Sequence, residues 1–344
     1  MKNSVGKVLL LSVILAVASV GAVFANGGQQ AAGGSNTHAV VFKSTGNPFG
    51  EKLMDGFETG VKEQGGAVIR RAPDLPTAEA QIQIIDQLIA QKVASITISA
   101  NDFDALQPVM TKAKNAGIGI VTADSAVNPA SRSIHINQAD TRLIGETLVE
   151  AAFDQAGGSG DIAVLSATSQ ASNQNAWIAI MEETLKQPKY AALKLVKIAY
   201  GDDLRDKSVS ETEGLLASYP NLKVIVAPTT VGIAAAAKVI TDRALIGKVK
   251  ITGLGLPSEM AEYIINGSCP YMFLWNPIDL GYLASYAAVA LSEGRIAGKV
   301  GDQFGGGKLG NYTAIQSGDG GTEVILGPPF KFDPSNINEW KAVY

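Results

Sequence analysis

Apolar and polar residues alternate along this chain with two periods, one typical of buried strands and the other of amphipathic helices. The first unit begins with Ala39 to Phe42, four consecutive apolar residues that predict a buried strand. Turn-forming residues from Gly46 to Pro48 end that strand, and Leu53, Phe57 and Val61 then recur at helical spacing. The pattern therefore predicts a strand, a polar loop and a helix. In an open parallel sheet, loops at the carboxyl ends of strands are where small ligands bind.

The same alternation of strand and helix continues through most of the chain. Further strands are predicted at Ala67 to Arg71, Ser95 to Ser99, Ile118 to Thr122, Ser133 to Asn137, Asp161 to Leu165, Leu193 to Tyr200, Lys223 to Ala227, Val249 to Gly253 and Tyr271 to Trp275. Strands that alternate with helices form βαβ units and a parallel sheet. About ten strands suit two sheets of five or six better than one wide sheet. The sequence therefore predicts an α/β fold with two parallel sheets.

The amino-terminal segment has the features of a secretory signal. Two lysines precede an apolar run from Val8 to Val20, and Val23-Phe24-Ala25 supplies small residues suited to cleavage. We interpret residues 1–25 as a signal peptide and residues 26–36, rich in Gly, Gln and Ala, as a disordered leader. The alternative is a membrane anchor. It has less support because the run is short for a span and no basic cluster follows.

Charge and the rare residue types exclude several classes of function. The net charge of −4 becomes more negative once the two signal lysines are removed, which argues against nucleic acid or an anionic membrane surface as partner. Cys269 is the single cysteine, so an internal disulfide is impossible and the fold must rest on its apolar core. Two distant histidines predict no metal site. No nucleophile elbow or P-loop motif predicts hydrolysis or phosphoryl transfer.

Polar residues follow two of the first strands at their carboxyl ends. Lys43, Asn47 and Phe49 place an ammonium, an amide and an aromatic ring on one loop, a mixture that suits a small polyhydroxylated molecule. Asp124 follows the strand that ends at Thr122, and a carboxylate can accept two hydroxyl hydrogen bonds. The alternative for Asp124 is a turn or capping residue. Because Lys43 and Asp124 lie on loops, we expect them to matter for binding more than for folding.

The next loops carry amides and hydroxyls. Asn137 and Gln138 follow a strand and are candidates for reaching the ligand, whereas His135 alternates with apolar neighbours and is expected to be packed or on the surface. Asn173 and Gln174 lie in a polar run before a helix, and their amides both donate and accept, as a sugar hydroxyl requires. The alternative for Asn173 is a helix cap.

Three later segments complete the candidate site. Pro228 and Thr230 stand between a strand and a helix whose first amides are available to ligand oxygens. Trp275 and Asn276 end a strand, and the helix after them is expected to be capped by Asp279. Trp275 is assigned either to stacking on an apolar ligand face or to packing at the crossover between the strand and the helix.

Glycine-rich segments occur in the last third of the chain. The run Thr252 to Pro257 lacks the third glycine of a dinucleotide-binding fingerprint, so we interpret its glycines as permitting a tight turn. Residues 305–321 are expected to be a loop, and Val324 to Leu326 a short edge strand returning to the second lobe.

The motifs Lys43 with Gly46-Asn47-Pro48-Phe49, Asp124, Asn173-Gln174, Pro228-Thr229-Thr230 and Trp275 to Gly281 together resemble periplasmic sugar-binding proteins of the ribose/galactose type. They are most similar to the rhamnose-binding and autoinducer-2-binding branch. The resemblance implies two doubly wound parallel-sheet lobes joined by a three-segment hinge. It places residues 37–136 and 277–298 in the N-terminal lobe and residues 137–276 and 299–344 in the C-terminal lobe.

The same resemblance implies a function. A monomeric, periplasmic binding protein without cofactor, metal or catalytic activity would close over a monosaccharide and present it to an ABC transporter permease in the inner membrane. Rhamnose is the first choice because Asn173 and Thr230 depart from the autoinducer-2 pattern, which has Asp and Ala there. Autoinducer-2, a pentose or another deoxyhexose stays an alternative ligand. A chemoreceptor or sensor stays an alternative partner, and a sugar-converting enzyme an alternative class.

Many sugar binders of this family hold a further aspartate in the segment that here runs from Gly253 to Pro257, and this chain has none. The resemblance therefore implies that Asp124 carries more of the hydroxyl recognition. A cytoplasmic repressor of the same fold would need a basic helix-turn-helix ahead of the first strand, where this chain has the predicted signal peptide.

Overall fold

The computed structural model describes residues 35–344, and the predicted signal peptide and nearly all of the predicted leader lie outside these residues. The strands, in chain order, are β1 (Thr37–Val41), β2 (Ala67–Arg71), β3 (Ser95–Ile98), β4 (Gly119–Ala123), β5 (Ile134–Asn137), β6 (Gly160–Ser166), β7 (Leu193–Tyr200), β8 (Leu222–Ala227), β9 (Lys250–Gly253), β10 (Met272–Leu274), β11 (Gln303–Gly305), β12 (Asn311–Thr313), β13 (Ile315–Gln316), β14 (Thr322–Ile325) and β15 (Phe330–Phe332). Every strand predicted up to Trp275 is present within one or two residues.

Helices follow most of the strands, as the period of the apolar residues predicts. They are α1 (Pro48–Glu63), α2 (Ala78–Ala90), α3 (Gln107–Asn115), α4 (Thr141–Ala156), α5 (Ser172–Thr184), α6 (Arg205–Ser218), α7 (Thr230–Asp242), α8 (Pro257–Ile265), α9 (Pro277–Ser292) and α10 (Ile337–Trp340). Within residues 35–344, no helix combines the length and the apolar character needed to cross a membrane.

Two parallel sheets form two lobes. The first lobe contains a seven-stranded sheet in the order β13-β14-β5-β4-β3-β1-β2, in which only β13 runs antiparallel to its neighbour. The second lobe contains a four-stranded parallel sheet in the order β7-β6-β8-β9. In both sheets the strand order reverses next to the lobe's first strand, which creates the topological switch point where ligands bind in such folds. This arrangement confirms the predicted α/β fold class.

The strand near the carboxyl terminus pairs differently from its prediction. We expected Val324 to Leu326 on the second lobe, but β14 pairs with β5 of the first lobe, and the Leu326 amide donates to the Asn137 carbonyl at 2.9 Å. The outer edge of β5 would otherwise present unpaired backbone groups, and β14 satisfies them. The chain then crosses to the second lobe, where β15 pairs with β10. The third crossover therefore follows β14, whereas the predicted lobe boundary lies at residue 299.

The glycine-rich segment 305–321 is also more ordered in structure than predicted. The antiparallel pair β11 and β12, a 3-10 turn at Gly307–Leu309 and strand β13 all fall within or beside it. Several of its glycines have positive φ and occupy turns between these short strands, which explains why composition alone suggested a continuous loop.

Helix α9 returns the chain to the first lobe and packs directly on α1. A Cβ atom on Gly56 would lie 1.9 Å from the Ile278 carbonyl oxygen, and one on Gly281 would lie 1.8 Å from the Leu53 carbonyl oxygen. The two helix backbones therefore touch at glycines, and no larger residue fits at this contact. The crossover segment before α9 is held by this contact.

The cap of α9 is Asn276 and not Asp279 as predicted. The Asn276 side-chain oxygen accepts the amides of Ile278 at 2.9 Å and Asp279 at 3.3 Å. Pro277 occupies the first helical position, where its missing N–H costs nothing, so the residue just before it becomes the cap.

Candidate ligand-binding site

A cavity lies between the carboxyl ends of the two sheets, and we call it the first cavity. From the first lobe it is lined by Phe42, Lys43, Asn47, Phe49 and Asp124. From the second lobe it is lined by Gln174, Trp177, Asp203, Pro228, Thr229 and Thr230, with Leu254, Leu274 and Trp275 completing the wall. The free volume between these side chains is about 30 Å³, room for about one water molecule.

A buried ion pair forms the first-lobe side of this cavity. Lys43 Nζ lies 3.6 Å from Asp124 Oδ2, and only 5 % of Lys43 and 6 % of Asp124 is exposed. The Ser99 hydroxyl donates to the same carboxylate oxygen at 2.7 Å. Two charges this far from water are tolerated because each is paired and hydrogen-bonded. The structure thus joins two residues that the sequence placed on separate loops.

The amides at the start of α5 reach across from the second lobe to this pair. Asn173 Nδ2 donates to Asp124 Oδ1 at 3.0 Å, while Lys43 Nζ donates to Asn173 Oδ1 at 3.2 Å and to Gln174 Oε1 at 3.4 Å. Asn173 does not cap its helix through its side chain, because the residue at the cap position is Ala171. These hydrogen bonds hold the two lobes together across the cleft.

Aromatic side chains form the opposite wall. The rings of Phe49 and Trp275 meet edge to face with centroids 6.3 Å apart, and the rings of Trp275 and Trp177 lie 5.8 Å apart. The Trp275 Nε1 atom is buried and has no hydrogen-bond partner among the described residues. Trp177 also lines the cavity. An apolar wall with one unpaired donor suits a ligand that has both C–H faces and hydroxyls.

Asn47 has two separate uses. Its side-chain oxygen caps α1 by accepting the amides of Phe49 at 3.0 Å and Gly50 at 3.3 Å. Because the oxygen is engaged, the amide NH2 group is the part of Asn47 that remains to donate toward the cavity it lines.

The junction between β8 and α7 supplies the second-lobe side. Pro228 and Thr230 line the first cavity, and only 8 % of Thr230 is exposed. Thr229 caps α7 by accepting the amide of Gly232, and its hydroxyl donates to Asp203 Oδ1. The cap places the first amides of α7 beside the cavity, where their partial positive charge favours ligand oxygens.

Asp203 is a cavity residue that the sequence analysis did not identify. It lies in the loop after β7, its φ is +54°, and burial raises the pKa of its carboxyl group while the charge of Lys43 acts in the opposite direction. A signal was present, because the strand Leu193 to Tyr200 was predicted and Asp203 follows its carboxyl end.

Four predicted residues are absent from the lining of the first cavity, namely Asn137, Gln138, Asn173 and Asn276, although Asn173 is hydrogen-bonded to Lys43 and Asp124, which line it. Asn137 and Gln138 line a neighbouring second cavity, bounded by Arg132, His135, Asp319, Glu323 and the first half of α5. Asn137 Nδ2 donates there to Glu323 Oε2 at 2.9 Å. The Asn276 side chain is engaged in capping α9. Asn137 and Gln138 lie away from the first cavity because they follow β5, which is farther than β4 from the switch point of the first sheet.

His135 is packed within the first lobe. Its Nδ1 atom lies 2.9 Å from the Thr122 hydroxyl, and burial lowers the pKa of His135 to about 3. The imidazole is therefore neutral at physiological pH.

The turn after β9 agrees with the reading of its glycines. A Cβ on Gly253, whose φ is +145°, would lie 2.0 Å from the Ala227 carbonyl oxygen. The glycine permits close approach of two strands. Across residues 35–344, no three His, Cys, Asp or Glu side chains converge as metal ligands would.

Comparison with known proteins identifies the family. A profile of the periplasmic binding protein domain matches residues 38–296. The chain is 51 % identical to an ABC transporter solute-binding protein from Clostridium phytofermentas solved with bound L-rhamnose, with a TM-score of 0.89 over 90 % of this chain and 99 % of that one.

Two further comparisons agree in fold. LsrB from Clostridium saccharobutylicum, solved in complex with AI-2, has a TM-score of 0.84 at 21 % identity and covers 88 % of this chain and 99 % of its own. The D-ribose/D-allose-binding protein of Pseudomonas aeruginosa is 25 % identical over 227 residues, which are 62 % of this chain and 69 % of that protein. The resemblance found in the sequence is confirmed: the chain belongs to the periplasmic binding protein family.

Proposed function

We propose that this protein is the sugar-binding component of an ABC importer and holds one monosaccharide in the first cavity. The observation that carries the proposal is the buried pair of Lys43 and Asp124, which meets the amides of Asn173 and Gln174 from the other lobe. Charged and amide groups at one point, opposite an aromatic wall, match a molecule with hydroxyls on its edge and C–H groups on its faces.

The residue types divide the work of recognising a hydroxyl group. Asp124 accepts, Lys43 and the Asn47 amide donate, and Gln174 does both. A ligand hydroxyl accepts a hydrogen bond from Trp275 Nε1, which otherwise has no partner among the described residues. Leaving a buried donor unpaired costs about 1–3 kcal/mol. The ring wall excludes water, which strengthens each of these hydrogen bonds.

Hinge closure follows from the way the lobes share the site. A ligand that contacts Asp124 on one lobe and Thr230 on the other has more contacts in the closed state, so it shifts the equilibrium toward closure. The three crossovers follow β5, β10 and β14. The lobe boundaries that we propose keep the predicted ones up to residue 298, assign residues 299–326 to the first lobe and return the chain to the second lobe at β15.

Rhamnose is the ligand we favour. The relative that is 51 % identical and was solved with L-rhamnose covers 90 % of this chain, and Asn173 and Thr230 both depart from the autoinducer-2 pattern. A protein from Burkholderia graminis solved with D-arabinose is 26 % identical, which keeps a pentose as a second candidate. Autoinducer-2 remains a third.

The cellular context that we propose follows from the family and the amino terminus. The chain would be exported, with residues 1–25 removed, and would act as a monomer in the periplasm. A permease in the inner membrane is the proposed partner. A chemoreceptor or sensor would use the same closed state. No catalytic activity is proposed.

Two measurements test this proposal. Native mass spectrometry of the purified protein should show the mass of a bound neutral sugar that is lost on unfolding. Isothermal titration calorimetry with L-rhamnose, D-arabinose, D-ribose and autoinducer-2 should show saturation with L-rhamnose at the lowest concentration. Saturation by autoinducer-2 with no heat from any sugar would reverse the ligand order. Absence of binding to all four would contradict the proposed function, and chemical turnover of any of them would contradict a transport role.

A further inference from the structure

We propose that Asp203 is the second-lobe carboxylate of this site, accepting a ligand hydroxyl opposite Asp124, and that the ligand is therefore a neutral polyol. This inference rests on the proposed function and deepens it. The loop Gly253 to Pro257 at the end of β9 contains no carboxylate, and Asp203, in the loop after β7, places one in the lining of the first cavity.

The first argument is the position and bonding of the side chain. Asp203 lines the first cavity together with Asp124 and Lys43. Its Oδ1 atom accepts from the Thr229 hydroxyl, and none of residues 35–344 donates a hydrogen bond to its Oδ2 atom. Each carboxylate oxygen has room for about two hydrogen bonds. Thr229 therefore orients the Asp203 carboxylate and leaves acceptor capacity for a ligand.

The second argument is that the usual structural roles of an aspartate are not performed by Asp203. An Asp just before a helix normally caps it by accepting first-turn amides. Helix α6 begins at Arg205 after Leu204, and no side-chain cap hydrogen bond is made there. Asp203 also forms no salt bridge among residues 35–344, because the nearby Lys207 pairs with Asp202.

The third argument is the backbone. Asp203 and Asp124 both have left-handed backbones, with φ of +54° and +65°. Such a conformation is uncommon for a residue with a side chain and costs free energy that the surrounding structure must offset. Both residues contribute a carboxylate to the lining of the first cavity, one from each lobe.

The charges around the cavity define the class of ligand. Lys43 is the single cation in the cavity wall, and two carboxylates face it. An acidic sugar or a sugar phosphate would meet an excess of negative charge, whereas hydroxyl groups donate well to carboxylates. Two acceptors on opposite lobes require hydroxyls at two separated positions of one ring. The site therefore fits a neutral polyol whose hydroxyls lie on two sides.

The test compares two neighbouring substitutions. Asp203→Asn keeps the size and the oxygen that Thr229 needs but removes the charge, and Asp202→Asn does the same at a neighbour with the same φ that lies outside the first cavity. Calorimetry with L-rhamnose should show affinity reduced about tenfold or more for Asp203→Asn. Asp202→Asn should bind within about twofold of the parent. Urea denaturation should give similar midpoints for Asp203→Asn and the parent.

A second readout distinguishes ligand contact from a structural role. Burial raises the pKa of Asp203, so the parent should lose affinity as the pH falls at values where ordinary carboxyl groups are still ionised. Asp203→Asn should lack that part of the pH profile. The uronic acid of the bound sugar should bind the parent at least about tenfold more weakly than the neutral sugar.

The outcomes separate this inference from the proposed function. If the parent binds a neutral sugar and Asp203→Asn binds it equally tightly, the role of Asp203 is contradicted while sugar binding stands. If the parent binds none of the four ligands tested above, the proposed function fails and takes the inference with it. Tighter binding of a uronic acid than of its neutral sugar would contradict the assigned ligand class.

Discussion

Removing the charge of Asp124 should weaken ligand binding and destabilise the fold together. The substitution Asp124→Asn keeps the shape of the side chain, so Ser99 and Asn173 still face a polar group, either the amide oxygen or the amide nitrogen of the new residue. It leaves the Lys43 ammonium in a site that is 5 % exposed without its counter-charge. The buried pair changes the expectation that this residue would matter for binding more than for folding.

The expected magnitude follows from the geometry of the pair. Removing one partner of a buried ion pair costs about 3–5 kcal/mol in the free energy of unfolding. In Asp124→Asn, Lys43 keeps its hydrogen bonds to Asn173 and Gln174, and in the parent its Nζ atom is as far as 3.6 Å from the carboxylate. We therefore expect the free energy of unfolding to fall by about 3 kcal/mol or less. Hydrogen bonds to a charged acceptor contribute about 1.5–3 kcal/mol each, so the affinity should fall at least about tenfold.

Urea denaturation and calorimetry on four proteins test these figures. Asp124→Asn should lose both stability and affinity. The double substitution Lys43→Met with Asp124→Asn removes both charges and should recover part of the stability but none of the affinity. Asp319→Asn is the matched control, because Asp319 pairs with the buried Arg132 away from the first cavity. It should lose stability and bind sugar within about twofold of the parent.

One result would refute the reasoning about Asp124. If Asp124→Asn unfolds at the same urea concentration as the parent and binds the sugar equally tightly, then Asp124 neither compensates the charge of Lys43 nor contacts the ligand. The first cavity would then lose its assignment as the binding site.

The remaining predictions concern packing, pH and the aromatic wall. Gly281→Ala should lower the free energy of unfolding by about 3 kcal/mol, because the added Cβ would lie 1.8 Å from the Leu53 carbonyl oxygen. The control Gly214→Ala, in the open middle of α6, should raise the free energy of unfolding by up to about 1 kcal/mol. Equal urea midpoints for the two variants would contradict the tight contact at Gly281. Burial lowers the pKa of His135 to about 3, so this side chain binds a proton more readily in the unfolded chain than in the folded one. Its contribution to the free energy of unfolding is therefore full above about pH 6.5. The free energy of unfolding should fall by about 2 kcal/mol from about pH 7.5 to about pH 5. A His135→Gln protein that keeps the whole of this pH slope would sink that assignment. Trp275→Phe keeps a ring but removes the unpaired N–H, so it should lower sugar affinity about fivefold without lowering the thermal midpoint, and unchanged affinity would show that Nε1 does not donate to the ligand.

The strands were predictable because most are buried on both faces of a parallel sheet. Such strands appear as short β-branched runs between turn residues, as in β8 with its four consecutive buried residues. The partner of β14 was not predictable in the same way. Only Val324 of this strand is fully buried, and a short half-buried run fits an open edge of either sheet.

The candidate site was predictable to the extent that ligand groups follow strands. Lys43, Asp124 and Gln174 each follow a predicted strand at the end facing the cleft, and the structure brings them together. Asn137 and Gln138 satisfy the same rule but belong to the second cavity. The sequence shows which strands end in polar residues. The lateral order of strands in the sheet decides which ends meet one ligand.

The residue at position 173 shows how one amide can connect two opposite charges across a cleft. Its oxygen accepts from the Lys43 ammonium at 3.2 Å, and its nitrogen donates to the Asp124 carboxylate at 3.0 Å. A carboxylate at this position would repel Asp124, and an ammonium would repel Lys43. An amide satisfies both at once without adding charge to a cavity in which Asp203 already supplies a second carboxylate. The neutral residue at 173 and the charged residue at 203 are therefore consistent parts of one balance of charge around Lys43.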